Sequence, residues 1–163
     1  MIAYKATYNM TCIDKTYEVG QTYTHEGELK LCSSGFHFCN IPDDTIEYYS
    51  YDKNYVLLEI EALGDIISSE DKSVTNKFKV LRVIPKEEYN SIFQRTKFDE
   101  RGNIIYYKTS NGFEVWRKFD KNNNMIYYKD SDGTECWRKF DERNNCIHYK
   151  DSSGYKKFFS PEK

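Results

Sequence analysis

Proline and glycine are scarce in this chain, three and eight in 163 residues. That excludes collagen-like and proline-rich extended classes and leaves no low-complexity linker. No run approaches the ~18 apolar residues of a membrane helix, and no charged-then-apolar leader opens the sequence. A soluble protein of the cytoplasm, without a membrane partner, is expected. Five cysteines make an odd number and lack the spacing of a disulfide framework, which suits a reducing compartment. The usual catalytic signatures are missing too: no glycine-rich phosphate loop, no serine nucleophile elbow, no His-Glu-x-x-His. His25 and His148 stand alone. The balance is against an enzyme, and no cofactor is expected.

What the chain has is aromatic residues, 17% of the total with 15 tyrosines. They are concentrated in a repeat. From Arg95 to Phe158 one unit recurs every 21 residues: Phe98, Phe119 and Phe140; Ile105, Ile126 and Ile147; Tyr107, Tyr128 and Tyr149; Gly112, Gly133 and Gly154; Trp116, Trp137 and Phe158. Self-similarity at a fixed period predicts a repeat architecture. Charge divides at the same place. Lys+Arg minus Asp+Glu is 9 − 15 = −6 for residues 1–94 and 15 − 11 = +4 for residues 95–163. A head domain over 1–92 and a β-repeat tail over 93–163 are therefore expected.

Each unit holds two turn signals. Asp99–Asn103 and its copies place Gly or Asn at the fourth position, which suits a type I turn closed by a left-handed residue. Asn111-Gly112, Asp132-Gly133 and Ser153-Gly154 suit two-residue hairpin loops. Two turns per unit predict an antiparallel meander of about seven strands. With two-residue loops, Tyr107 would lie opposite Trp116, Tyr128 opposite Trp137 and Tyr149 opposite Phe158. One face would then carry an aromatic ladder. Tyr107, Trp116, Tyr128, Trp137 and Tyr149, with Arg117 and Arg138, are the candidate partner-binding residues, because Tyr, Trp and Arg are enriched at interface centres. The same interleaving suits stacking on single-stranded nucleic acid, which the acidic whole-chain balance does not favour. Sheet edges offer a route to oligomers.

The head reads as α+β, mostly strands around one short helix. Strands are predicted over 1–6, 29–32, 35–39, 55–61 and 77–84, with a turn or strand pair over 17–23. Asn40-Ile-Pro-Asp-Asp44 starts a helix running to Tyr49, and 85–92 forms one or two further helical turns.

The residues Tyr4-Lys5, Met10-Thr-Cys12, Tyr17-Glu-Val-Gly20, Leu31-Cys32-x-Ser34-Gly35-Phe36-His37-x-Cys39 and Glu59-x-Glu61-x-x-Gly64 resemble a family of uncharacterised bacteriophage and prophage proteins. In that family this head often precedes repeat tails. The resemblance implies a phage or mobile-element origin and brings no established activity. The order of elements is also similar to ADP-ribosyltransferase-like folds, which frame a nicotinamide pocket. That likeness implies nucleotide-binding candidates Tyr4, His37, Tyr49 and Glu59. Cys39 stands where that fold usually has serine, and no arginine follows Tyr4. Cys12, Cys32, His37 and Cys39 form a weak metal-ligand set without paired Cys-x-x-Cys spacing, so no metal is expected.

The leading expectation is a non-enzymatic phage-type protein that binds and inhibits or modulates a bacterial host protein. An anti-defence factor of the anti-CRISPR kind, acting on a defence nuclease complex, fits that description. An ADP-ribosyltransferase-like or nucleotide-binding protein is the alternative, and a single-strand binder acting through the aromatic sheet is another.

Overall fold

Strand-forming residues dominate, and the protein is mostly antiparallel β. The computed structural model describes residues 1–159. Two compact units divide at Phe93/Gln94. Among the described residues no helix is long and apolar enough to cross a membrane.

In the first unit, β1 (Ile2–Tyr8), β2 (Thr11–Cys12), β3 (Lys15–Thr16) and β4 (Thr22–Thr24) precede β5 (Phe36–Phe38) and helix α1 (Pro42–Tyr48). Then come β6 (Tyr55–Ala62), β7 (Ile66–Ser68), β8 (Ser73–Thr75), β9 (Lys77–Val83) and a short α2 (Tyr89–Ile92) entered through a 3-10 turn. The main sheet runs β3-β2-β1-β6-β9-β4, and a smaller one runs β5-β8-β7. Helix α1 is the short helix expected after Asn40, and α2 with its 3-10 turn stands at the helical turns expected over 85–92. The strand expected over 29–32 is a turn instead, with Cys32 at φ +64°, and β7 and β8 carried no sequence signal strong enough to predict them.

Alternation along β6 buries both of its faces. Leu58 and Ile60 point into a cluster with Ala3, Tyr17, Phe36, Phe38, Phe78 and Val80. Fully burying an aliphatic or phenyl side chain contributes about 1.5–3 kcal/mol. Tyr55 and Leu57 face the other way, and the Tyr55 hydroxyl shares a 2.6 Å hydrogen bond with Thr45 of α1. Helix α1 starts with Pro at its first position and two acids in its first turn. Gly35 is required where it stands. Its φ is +102°, and a Cβ there would lie 2.6 Å from both Leu29 and Val74.

The second unit is one seven-stranded sheet in chain order. Its strands are β10 (Thr96–Phe98), β11 (Ile104–Lys108), β12 (Glu114–Phe119), β13 (Met125–Asp130), β14 (Glu135–Phe140), β15 (Cys146–Asp151) and β16 (Lys156–Phe158). The meander is the one the repeat predicts. Its first turn type is as expected too, with Gly102, Asn123 and Asn144 left-handed at φ +80°, +65° and +65°.

The hairpin loops are not two-residue loops. Thr109 N–H donates to Phe113 O at 2.9 Å and Gly112 N–H to Thr109 O at 3.1 Å. That is a type I turn closed by a left-handed glycine, a three-residue loop. Asp130 and Asp151 begin the equivalent loops, and Asp130 Oδ1 accepts the N–H groups of Asp132 (3.1 Å) and Thr134 (2.9 Å). The extra residue moves the register by one. Trp116 lies opposite Tyr106 and Trp137 opposite Tyr127, while Tyr107 faces Val115 and Tyr128 faces Cys136. Tyr149 faces Lys157, and Phe158 pairs with His148. Since side chains alternate with period two, a one-residue slip sends each partner to the opposite face. The single Tyr–Trp ladder expected from the sequence is therefore two ladders, one per face. At the other end of the strands one residue per unit (Ile105, Ile126, Ile147) is bulged out of the pairing.

Candidate functional site

Strand β1 of the first unit separates two concavities. Tyr4 looks into a cavity of about 200 Å³ shared with Cys32, His37, Cys39, Thr45, Tyr48, Tyr49 and Lys72. Lys5 looks into a cleft of about 470 Å³ with Cys12, Lys15, Tyr17, His25, Ser34, His37 and Tyr49. His37 and Tyr49 border both. Backbone bonds in both directions between Tyr4 and Cys39, each 2.8 Å, tie β1 to the segment after β5 and fix this geometry.

His37 Nε2 accepts the Cys32 N–H at 2.8 Å. Burial and then the nearby Lys5 charge hold its pKa below the ordinary value, so the imidazole is neutral. Burial pushes the Cys39 thiol up to about 12, which keeps it protonated. Cys12 Sγ shares a 2.8 Å hydrogen bond with the Tyr49 hydroxyl. The weak metal set is not gathered: among the described residues no three His, Cys, Asp or Glu side chains converge as ligands, and the Nε2 lone pair of His37 is already engaged. Of the nucleotide-binding candidates, Tyr4, His37 and Tyr49 meet at one cavity. Glu59 does not join them. It lies opposite Arg82 on β9 and accepts from Arg82 Nε at 2.6 Å, while Arg82 Nη1 is held by both Glu88 oxygens at 2.9 and 2.8 Å. Lys5, Tyr48 and Lys72 border the same cavities and were missed. Lys5 reads from sequence as one more solvated strand lysine.

In the second unit the corrected register sorts the partner-binding candidates. Trp116 and Trp137 share a face with Tyr106, Tyr127, His148 and Phe158. These form cross-strand ring pairs with centroids 5.7, 5.9 and 4.6 Å apart. Lysines continue the same rows. Lys97 is opposite Tyr106 and Lys129 opposite Trp116; Lys118 is opposite Tyr127 and Lys150 opposite Trp137; Lys139 is opposite His148. The Lys118 ammonium stands 5.5 Å from the Tyr127 ring and that of Lys150 stands 5.1 Å from Trp137. A groove of about 640 Å³ is lined by Lys97, Tyr106, Trp116, Lys118 and Tyr127 among others. The sequence carried this signal: Lys97, Lys118 and Lys139, and Lys108, Lys129 and Lys150, recur with the 21-residue period.

Tyr107, Tyr128, Tyr149, Arg117 and Arg138 lie together on the opposite face, around buried Val115 and Cys136. Arg117 packs 5.1 Å from the centre of the Tyr107 ring, and Arg138 5.6 Å from that of Tyr149. The Tyr128 hydroxyl donates to Asp130 Oδ2 at 2.9 Å. Burial, helped by that carboxylate, pushes its phenol up to about 12.

The chain belongs to the family described as a domain of unknown function, DUF7666, whose model matches residues 1–92. No curated protein matches the chain, and no solved structure does.

Proposed function

We propose that this protein is a non-enzymatic interaction protein of phage type that binds a bacterial host protein in the host cytoplasm, in the manner of an anti-defence factor. Its contact surface is the tyrosine–arginine face of the repeat sheet. The observation that carries this reading is the repeated stack of Arg117 on Tyr107 and Arg138 on Tyr149. Tyr and Arg are the residue types enriched at interface centres, and rings held against guanidinium groups lose little side-chain freedom on contact. The phage origin rests on the head motif from Leu31 to Cys39.

The test is affinity capture from host lysate with the full chain and with the Arg117→Glu, Arg138→Glu variant. The reading expects one host protein recovered in stoichiometric amount by the natural chain and lost by the variant. Recovery of nothing, or equal recovery by both, overturns it.

A second reading is favoured by one observation, the meeting of Tyr4, His37 and Tyr49 around a cavity with Lys72 among its lining residues. It makes the head an ADP-ribosyltransferase-like nucleotide binder that takes one aromatic ring of a nucleotide there. Glu59, ion-paired with Arg82, is not available to it, so this reading is binding without transfer. A thermal-shift series with NAD, ADP-ribose and nicotinamide decides it. Stabilisation that His37→Ala abolishes supports it; no stabilisation by any of the three removes it.

A further inference from the structure

We infer that the lysine–tryptophan face of the repeat sheet binds single-stranded nucleic acid. This is the face opposite the tyrosine–arginine surface, so the two readings stand or fall separately.

Three features converge on it. The first is the rows. Each holds an aromatic pair, Tyr106–Trp116 or Tyr127–Trp137, flanked by one lysine opposite each ring. A base stacks on the ring while its phosphates meet the ammonium groups on either side. The rings are only half-buried, which leaves π-surface accessible.

The second is charge. The chain as a whole is at −2, yet on this face lysines outnumber the carboxylates Glu114 and Glu135, and Asp99, which also lines the groove, accepts from Arg101 and Asn103. Of these lysines Lys108 alone is held in an ion pair among the described residues, with Glu114 at 2.9 Å. A positive surface on an acidic protein selects a polyanion. A protein partner fits less well, since lysine is depleted at the centres of protein interfaces.

The third is spacing. Successive ring pairs step two strands across and two residues along the sheet, ~10 Å and ~7 Å, and so recur ~12 Å apart on a diagonal. The groove beside Trp116 and Tyr127 lies on that diagonal. A flexible single strand can lay exposed bases on successive platforms. A duplex keeps its base faces stacked inside and cannot.

The experiment exploits the fact that Trp116 and Trp137 are the chain's two tryptophans, so stacking at this face quenches its intrinsic tryptophan emission. The full chain is titrated with oligothymidylate of about 15 nucleotides, with a duplex of equal length, and with polyglutamate. The expected result is quenching by the single strand alone. Its affinity should fall tens of fold between about 50 and 200 mM salt. Lys118→Glu with Lys150→Glu should weaken binding at least tenfold and reduce the salt slope by about two. Lys118→Ala with Lys150→Ala should do the same to a smaller degree, and Lys53→Glu on the head should change nothing. Absence of quenching by the single strand overturns the proposal. So does equal binding of duplex or polyglutamate without quenching, which would mark a merely cationic patch. Variants that bind like the natural chain overturn it too.

Discussion

The Lys5 ammonium donates to the carbonyl oxygen of His37 at 2.8 Å, with Cys12 Sγ at 3.9 Å and the Tyr17 ring centre at 5.5 Å. Its neighbours are thus a carbonyl, a thiol and a ring, and Lys5 is 4% exposed. Burial dominates over the raising effect of Cys12 and Cys39 and holds its pKa below the ordinary lysine value. A lysine lowered in the folded state releases its proton there first. Between the folded value and ~10.4 the unfolded chain holds more protons, so stability climbs with pH. The buried Cys39 thiol, raised to about 12, works the other way above the ordinary cysteine range, so the Lys5 contribution is read by difference. As pH rises toward ~10.4, the melting temperature of the natural protein should gain on that of Lys5→Met. Parallel melting curves for the two proteins across this interval would show that Lys5 keeps its ordinary proton.

The ring pairs Tyr106–Trp116 and Tyr127–Trp137 lie on the partly exposed face, away from buried Val115 and Cys136. An aromatic pair contributes about 0.5–1.5 kcal/mol beyond its area. Trp116→Ala and Trp137→Ala should each lower unfolding free energy by at least that much, since each half-buried ring also gives up its buried area, and the double variant should keep its β-sheet circular dichroism. Loss of the sheet signal in the double variant would place these rings in a core.

Much of the tail was legible because each unit repeats its punctuation. Asp99, Gly102 and Asn103, copied as Asp120, Asn123 and Asn124, define a turn whose backbone permits few alternatives. The loop at Asn111-Gly112 was misread because Asn-Gly serves two loop types. The deciding residue was two positions earlier: Asp130 and Asp151 put an acceptor at the start of a type I turn with glycine at its end, and that adds a residue to the loop. Everything about which rings share a face follows from that one residue. In the head, Phe36 and Phe38 were legible as a strand, and the likeness to ADP-ribosyltransferase folds grouped Tyr4, His37 and Tyr49, but the residues themselves do not reveal their meeting. It depends on the backbone pairing of Tyr4 with Cys39, 35 residues apart, which no local pattern encodes. Glu59 likewise looked available only because its partner Arg82 is 23 residues away.

Asn123 is left-handed at φ +65°, and its Oδ1 accepts from Asn103 Nδ2 at 2.9 Å. Ala and Gly substitutions lose that hydrogen bond equally and differ in backbone freedom. Asn123→Ala should therefore be less stable than Asn123→Gly by about 1–2 kcal/mol, measured by urea unfolding. Equal midpoints for the two variants would mean the turn relaxes out of the left-handed region.

Asp120 and Asp141 hold equivalent turns. Asp120 Oδ1 accepts from Asn122 and Asn124 N–H at 2.8 and 2.9 Å, and Oδ2 accepts from Asn124 Nδ2 at 3.0 Å. Asp141 repeats the pattern with Arg143 and Asn145 at 2.9, 2.8 and 3.1 Å. The Asn124 side-chain bond holds Asp120 below the ordinary aspartate value, and the Asn145 backbone bond does so for Asp141. A carboxylate lowered on folding stabilises above the unfolded value of ~3.9 and loses that contribution as pH falls through it toward the folded one. Stability of the repeat sheet should therefore decline from about pH 5 downward. Asp120→Ala with Asp141→Ala should be less stable at pH 7 and should lose less of its remaining stability on acidification. Far-UV circular dichroism during urea unfolding at neutral and acid pH checks this. An equal acid-induced loss in the natural and substituted proteins would assign acid sensitivity to groups outside these turns.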